Sequence, residues 1–257
     1  MAENETRKPI LKLENINKRF GGVVTAKDIK FDLFPGEIKG LIGPNGAGKT
    51  TLMNIISGIY TADSGTIIFD GMDITNVPDY RRARMGIGRT FQSPRFLQRS
   101  SIRDNLLIGA DLGNRIGFLE GFFGKKSTNF EQELKDMMDL LHFGFNWDDE
   151  ISSLPFGQRK LLEIVRSLLS HPKVILVDEP AAGLNPKEIN YLMDILRMAA
   201  RKMNIGVLLI EHSMDMIMDI CDSIYVISFG VPIGEGTPEQ IANNHAVIEA
   251  YLGKEDE

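Results

Sequence analysis

The 257-residue chain contains a single cysteine. One thiol excludes an intrachain disulfide and suits a reducing compartment. Cys221 lies in an apolar helical stretch and reads as a small core residue rather than a reactive thiol. No run approaches 18 apolar residues, so no membrane-spanning helix is expected. Basic residues are in the minority, 29 Lys and Arg against 35 Asp and Glu, and the net charge is −6. Bulk electrostatics therefore give no support to a nucleic-acid partner. Met1–Lys8 has no apolar core, so no signal peptide is expected there. Neither an internal repeat nor a low-complexity linker breaks the chain, and Lys254–Glu257 reads as a frayed, solvated tail. What remains has the composition of an ordinary soluble globular protein, long enough for one large domain or two small ones.

The most informative stretch is Gly43-Pro44-Asn45-Gly46-Ala47-Gly48-Lys49-Thr50-Thr51, which fits the P-loop pattern G-x-x-x-x-G-K-[ST]. Ile38–Ile42 before it reads as a short buried strand. Leu52, Ile55, Ile56 and Ile59 after it recur at helical spacing. A strand, a glycine loop and a helix start form an anion site, because loop amides and the helix N-terminus both present positive charge. Gly43, Gly46 and Gly48 let backbone approach phosphate oxygens. Lys49 can reach the β- and γ-phosphates, and the Thr50 hydroxyl can ligate Mg²⁺. A chance glycine turn is the bland alternative, and it does not explain the flanking strand and helix.

Ahead of the P-loop, Ile10–Asn15 and Ile29–Leu33 alternate as strands, with a turn expected over Asn17–Gly22. Thr66–Gly71 reads as a further strand of the same antiparallel sheet. Asp79–Met85 is a short basic helix, Gly86–Phe91 a strand ending in Gln92, and Ser101–Ala110 a helix with a capping-box start. Residues Asp111–Asn129 are rich in Gly and Phe: either a loop that packs its own aromatics or an exposed apolar patch for a partner. Phe130, Leu134, Met137, Met138 and Leu141 mark an amphipathic helix whose methionines read as core filler. A helix runs from Leu154–Gln158 through Ser170. Val174–Val177 suits a central parallel strand. Asn185-Pro186 caps the next helix. Ile205–Ile210 is a buried strand that ends in Glu211-His212. A helix, a strand over Ile224–Phe229, a glycine-rich hairpin and two short helices complete the chain.

Asp178 and Glu179 end a buried strand, where ligands bind in open α/β sheets. Asp178 would hold Mg²⁺ and complete the Thr50 site. Glu179 is placed to polarise an attacking water. An acidic pair capping a helix is the bland alternative.

These residues resemble the ATP-binding subunits of ABC transporters over almost the whole chain. The resemblance implies ATP and Mg²⁺ as ligands. Phe20 matches the aromatic that stacks on adenine, although such stacking does not exclude GTP. Gly43–Thr51 match Walker A, with Pro44, Asn45 and Ala47 among the nucleotide-binding residues. Gln92 matches the Q-loop residue that senses Mg²⁺ and faces the membrane partner. Leu154-Pro155-Phe156-Gly157-Gln158 stands where the signature Leu-Ser-Gly-Gly-Gln belongs. Ala182-Gly183-Leu184-Asn185 matches the D-loop, and His212 the switch histidine that would contact the γ-phosphate. Together with Arg89-Thr90-Phe91-Gln92 and the Phe/Gly insertion, the motifs look most like the subunits serving branched-chain amino-acid importers.

The implied fold is α/β: a P-loop NTPase with a parallel core sheet, an N-terminal antiparallel β subdomain and an inserted helical subdomain. The chain is expected to be one domain. Residues 1–92 and 171–257 would form the nucleotide-binding core and residues 93–170 the helical part. The implied activity is ATP hydrolysis coupled to import, at the cytoplasmic face of the membrane. Expected partners are transmembrane permease subunits, a second ATP-binding subunit (a copy or a paralogue) and, indirectly, a solute-binding protein. Rival readings are an ABC ATPase for another solute, a non-transport ABC ATPase and a P-loop kinase. The chain lacks the second cassette or long coiled coil of the non-transport types, and its signature loop disfavours a kinase. Two departures bear on the nucleotide sandwich. Pro155 removes a hydroxyl and an amide hydrogen from the signature loop, and Phe156 adds bulk.

Overall fold

The computed structural model describes residues 8–90, 95–111, 137–138 and 145–252. Its first strands, β1 (Leu11–Phe20), β2 (Val23–Leu33), β4 (Ser64–Phe69) and β5 (Met72–Asp73), form an antiparallel sheet in the order β2-β1-β4-β5. The second sheet has six strands in the order β10-β9-β3-β8-β7-β6. These are β3 (Ile38–Ile42), β6 (Ile87–Arg89), β7 (Val174–Asp178), β8 (Gly206–Ile210), β9 (Ser223–Ser228) and β10 (Val231–Gly236). β9, β3, β8, β7 and β6 run parallel, and β10 returns antiparallel along one edge.

The helices follow the expected punctuation. They are α1 (Lys49–Ser57), α2 (Asp79–Met85), α3 (Ile102–Asp111), α4 (Phe156–Leu169), α5 (Pro186–Arg201), α6 (Met214–Ile220), α7 (Pro238–Ala242) and α8 (His245–Leu252). Asn185 and Glu188 form a full capping box with Pro186 in the first turn of α5. Met137 and Met138, the described part of the amphipathic helix expected there, are helical and buried.

The continuous apolar runs of β7 and β8 belong to strands covered on both faces. Ile175, Val177, Val207 and Leu209 point into a core shared with α3, α4, α5 and α6. Val174, Leu176, Leu208 and Ile210 point into a second core, under α1 and the antiparallel sheet. Every one of these eight side chains is fully buried. Cys221 is a buried free thiol in the first core, pushed up to about 12 by desolvation, in line with an inert core residue.

Several boundaries differ from expectation. The first hairpin turn is only Gly21-Gly22, because Lys18, Arg19 and Phe20 continue the ladder opposite Ala26, Val24 and Val23. Gly86 ends α2 in the left-handed region, at φ 112°, so β6 starts one residue later. Phe229-Gly230 is a turn and not the end of β9, with both φ positive. Phe91, the 112–129 part of the insertion and the 254–257 tail lie outside the described residues.

Arg82 ties α2 beneath the P-loop helix. The side chain is buried, and its guanidinium donates to the carbonyls of Ile55 and Ile56 (both 2.8 Å), Val77 (2.7 Å) and Thr75 (2.9 Å). It thus supplies a donor to the Ile56 carbonyl and a second one to that of Ile55, which also accepts the Gly58 amide, at the end of α1, where the helix dipole favours a cation. Arg82→Met should lower unfolding free energy by about 3 kcal/mol or more, since several buried carbonyls lose a charged donor together. Arg82→Lys should recover little, because an ammonium cannot span the fork. Urea unfolding of the two variants checks both statements.

Candidate nucleotide site

β3 is buried along its whole length and delivers the chain to the 43–48 loop. Two glycines are dictated by close backbone approach. A Cβ on Gly43 would lie 2.0 Å from the Ile227 carbonyl oxygen, and one on Gly48 would lie 2.2 Å from that of Thr25. The loop is thereby wedged between β9 and β2. Gly46 differs: its φ is +78°, but nothing lies within 4 Å of its missing Cβ. Its open side is where a ligand can approach. The Gly230 amide donates to the Ala47 carbonyl (2.8 Å), and the Lys27 amide donates to Gly230 (2.8 Å).

Lys49 opens α1 and is buried. Its ammonium donates to the carbonyls of Gly43 (2.7 Å) and Pro44 (3.1 Å). Burial lowers its pKa, and the carboxylates of Glu179 and Asp178 oppose that shift. Thr50 is exposed beside it and Thr51 half-buried.

The ends of neighbouring strands supply the acidic side. β7 and β8 pair with Asp178 opposite Ile210, so Asp178-Glu179 and Glu211-His212 emerge together. Asp178 is buried, and its Oδ1 has no hydrogen-bond partner among the described residues. Burial raises its pKa, with the Arg89 guanidinium the largest opposing influence, 3.9 Å away. Arg89 in turn donates to Asn54 Oδ1 (2.7 Å) and Ser57 Oγ (2.8 Å) on α1. Glu179 sits at φ +48°, and its amide donates to the Ile210 carbonyl (2.9 Å). Its Oε1 lies 2.9 Å from Nε2 of His212. Both residues were legible as strand-end groups; their mutual hydrogen bond was not.

Pro155 occupies the N-cap of α4, which has no side-chain cap there. Leu154 and Gly157 are buried, and Gln158 is half-buried. Phe156 is exposed and sets its ring against the 182–185 loop, where a Cβ on Gly183 would be 3.1 Å from it. The Glu188 carboxylate fills the space beside Gly157, 2.3 Å from where a Cβ would stand. Leu184 closes a turn onto the Ala181 carbonyl (3.0 Å), and the Asn185 side chain caps α5. Residues 154–158 and 182–185 therefore touch within one chain. Among the described residues, no hydrogen bond or ion pair joins 154–158 to the P-loop. Phe20 is 43% exposed and meets Tyr60 edge-on at 5.2 Å between ring centres. Gln92 lies outside the described residues.

A divalent cation fits this donor set. Asp178 offers a buried oxygen without a partner, and Thr50 an exposed hydroxyl. No cluster of three or more His, Cys, Asp or Glu among the described residues could cage a metal. Magnesium usually takes one or two protein groups plus phosphate oxygens and water. Tyr60 and Lys160 belong to no motif legible in the sequence, and Arg89 and Glu211 stand there only in the runs that lead to Gln92 and His212, with no role of their own. The apolar run that starts at Leu161 and the one that ends at Ile210 were the available signals of burial for Lys160 and Glu211.

A glycine loop with a buried lysine, set beside an acidic strand end at the carboxyl edge of a parallel sheet, defines a P-loop nucleotide-binding protein. The chain belongs to the ABC transporter family, whose model matches residues 26–182. A second model, branched-chain amino acid ATP-binding cassette transporter, matches residues 231–257. The chain is 38% identical to the high-affinity branched-chain amino acid transport ATP-binding protein LivG of Escherichia coli, over 96% of this chain and 98% of that one. It is 37% identical to its counterpart BraF of Pseudomonas aeruginosa, over 96% and 99%. Among solved structures it is similar to an ATP-binding cassette of an ABC transporter in its ADP conformation. The TM-score is 0.81 with 33% identity, over 96% of this chain and all of that one. A nucleotide-free cassette gives a TM-score of 0.80.

The two kinds of loop glycine should separate on substitution. Gly48→Ala should abolish nucleotide binding and destabilise the chain, because the new Cβ has no room against backbone. Gly46→Ala should cost only about 1–2 kcal/mol, the penalty of a left-handed alanine. Nucleotide titration and thermal unfolding of both variants check the contrast.

Proposed function

We propose that this chain is the ATP-binding and ATP-hydrolysing subunit of an ABC importer for branched-chain or other amino acids. The likeness to LivG and BraF across nearly the whole chain carries this reading. The site chemistry supports it. Lys49 exchanges its two carbonyl acceptors for β- and γ-phosphate oxygens, a gain because a charged acceptor makes the stronger bond. The amides of Gly43–Thr51, Pro44 excepted, cradle the phosphates, and Phe20 stacks on the base with Tyr60 behind it. Asp178 and Thr50, with Gln92, would hold Mg²⁺, which when bound would neutralise charge on the phosphates. Glu179 takes a proton from the attacking water, and His212 orients that carboxylate and reaches toward the γ-phosphate.

The signature residues Leu154–Gln158 have no bond to their own P-loop, which suits a role across a dimer. A second ATP-binding subunit, identical or paralogous, would present its signature to this P-loop, with the D-loop Ala182–Asn185 alongside. Backbone amides at the start of α4 would then face the phosphate, since Pro155 has no hydroxyl. Residues 93–170 would form the helical part that meets the transmembrane permease subunits, between the two core segments 1–92 and 171–257. No helix among the described residues is long and apolar enough to cross a membrane, which suits a peripheral subunit at the cytoplasmic face. A solute-binding protein would deliver the cargo to the permease.

Glu179→Gln should keep ATP affinity and slow turnover by about 10²–10⁴-fold, because the isosteric amide accepts no proton at neutral pH. A variant turning over at the parental rate would rule out the base role; one that no longer binds ATP would make Glu179 a structural or metal-holding group. Lys49→Ala should weaken nucleotide binding by about 1.5–3 kcal/mol or more and remove nearly all hydrolysis. Equilibrium nucleotide titration with a phosphate-release assay reads both variants.

A further inference from the structure

Two buried ionisable side chains outside the family motifs converge on the turn that carries Glu179. Lys160 stands on α4, in the turn after the signature loop, and is 3% exposed. Its ammonium donates to the backbone carbonyls of Glu179 and Ala182, both at 2.8 Å. Glu211, at the end of β8, is 6% exposed. Its Oε1 accepts the Ala181 amide at 2.6 Å, and its Oε2 the His212 amide at 3.1 Å. A cation thus holds two carbonyls of the 179–182 turn while an anion holds the amide between them.

That turn needs holding. Glu179 is a non-glycine residue at φ +48°. Such a backbone persists only where the surroundings over-determine it. Its conformation sets the direction in which the carboxylate leaves the chain toward His212. The start of α4 also packs on the chain just beyond that turn, through the Phe156 ring on Gly183 and the Glu188 carboxylate of α5 beside Gly157. A shift of α4 must therefore either break the two Lys160 bonds or carry the Glu179 turn with it.

We propose that Lys160, counterposed by Glu211, is a positioning residue that couples the signature helix to the carboxylate that activates water. Lys160 touches neither nucleotide nor water; it acts through the backbone of Glu179. The inference rests on the role given above to Glu179. It adds a path within one chain, so that a partner engaging the start of α4 adjusts the aim of this chain's own base.

The test uses the full-length chain with ATP and Mg²⁺. Lys160→Met removes both hydrogen bonds and keeps much of the side chain's length. Its kcat should fall about 10²-fold, the scale for small misplacement of a catalytic group, while ATP affinity stays within about 3-fold of the parent. Lys160→Arg keeps the donors and should restore most of the rate. Lys160→Met strands the Glu211 charge, so Lys160→Met/Glu211→Gln is measured beside it. That pair removes both charges, which a buried site tolerates better than losing one. It should be folded by thermal unfolding and equally slow. Added to Glu179→Gln, Lys160→Met should slow the residual turnover no further, because the lysine acts through that carboxylate. Parental kcat in the folded double variant overturns the inference, as does an undiminished loss in the Glu179→Gln background. A slow Glu179→Gln beside a parental Lys160→Met overturns it while leaving the base role standing. A parental Glu179→Gln overturns the base role and this inference together.

Discussion

The parallel pairing of β3, β8 and β7 is the constraint on which the site depends. Their carboxyl ends share one edge, and both faces of the sheet are buried. With apolar side chains locked into two cores, a strand cannot slip by one residue without exchanging its faces. The register that places Asp178 opposite Ile210 is therefore held by the hydrophobic effect. From that register, Lys49, Asp178, Glu179, Glu211 and His212 come to neighbouring strand ends without any long-range polar search.

Around that edge the protein keeps an unusual density of buried charge. Lys49, Lys160, Arg89 and Asp178 are each pushed by burial toward their neutral forms, and each shift is opposed by a neighbour of opposite sign. For Asp178 the native pKa lies above the unfolded value, so its charge costs stability. That cost appears as pH rises through the unfolded pKa and is complete above the native one. A cation bound at Oδ1 would offset the cost. Lys160 and Arg89 answer differently, spending their donors on backbone carbonyls, asparagine and serine.

Pro155 and Phe156 also take on physical meaning. Proline at the N-cap of α4 has a φ of −54° and needs no amide partner, so it starts the helix without strain. Phe156 spends its bulk on Gly183. In this chain the 154–158 and 182–185 segments are therefore packed against one another by an aromatic contact that a glycine could not make.

Much of this architecture was legible from residue order alone. The P-loop, the acidic strand end, the caps at Asn185-Pro186 and the two-sided burial of β7 and β8 all follow from local rules. Glycine is the residue for backbone that other side chains cannot follow, proline opens helices, and uninterrupted β-branched and leucine runs demand cover on both faces. Those rules act over a few residues, and the chain obeys them. What they could not decide is which groups meet. The hydrogen bond between Glu179 and His212, the Arg89 bridge from β6 to α1, and the Lys160 and Glu211 clamp join residues 19 to 35 positions apart in sequence, and the Arg89–Asp178 pair is more widely separated still. Such contacts are set by strand order and helix packing. Strand order is a property of the whole sheet, because each strand's place depends on what its neighbours have already buried.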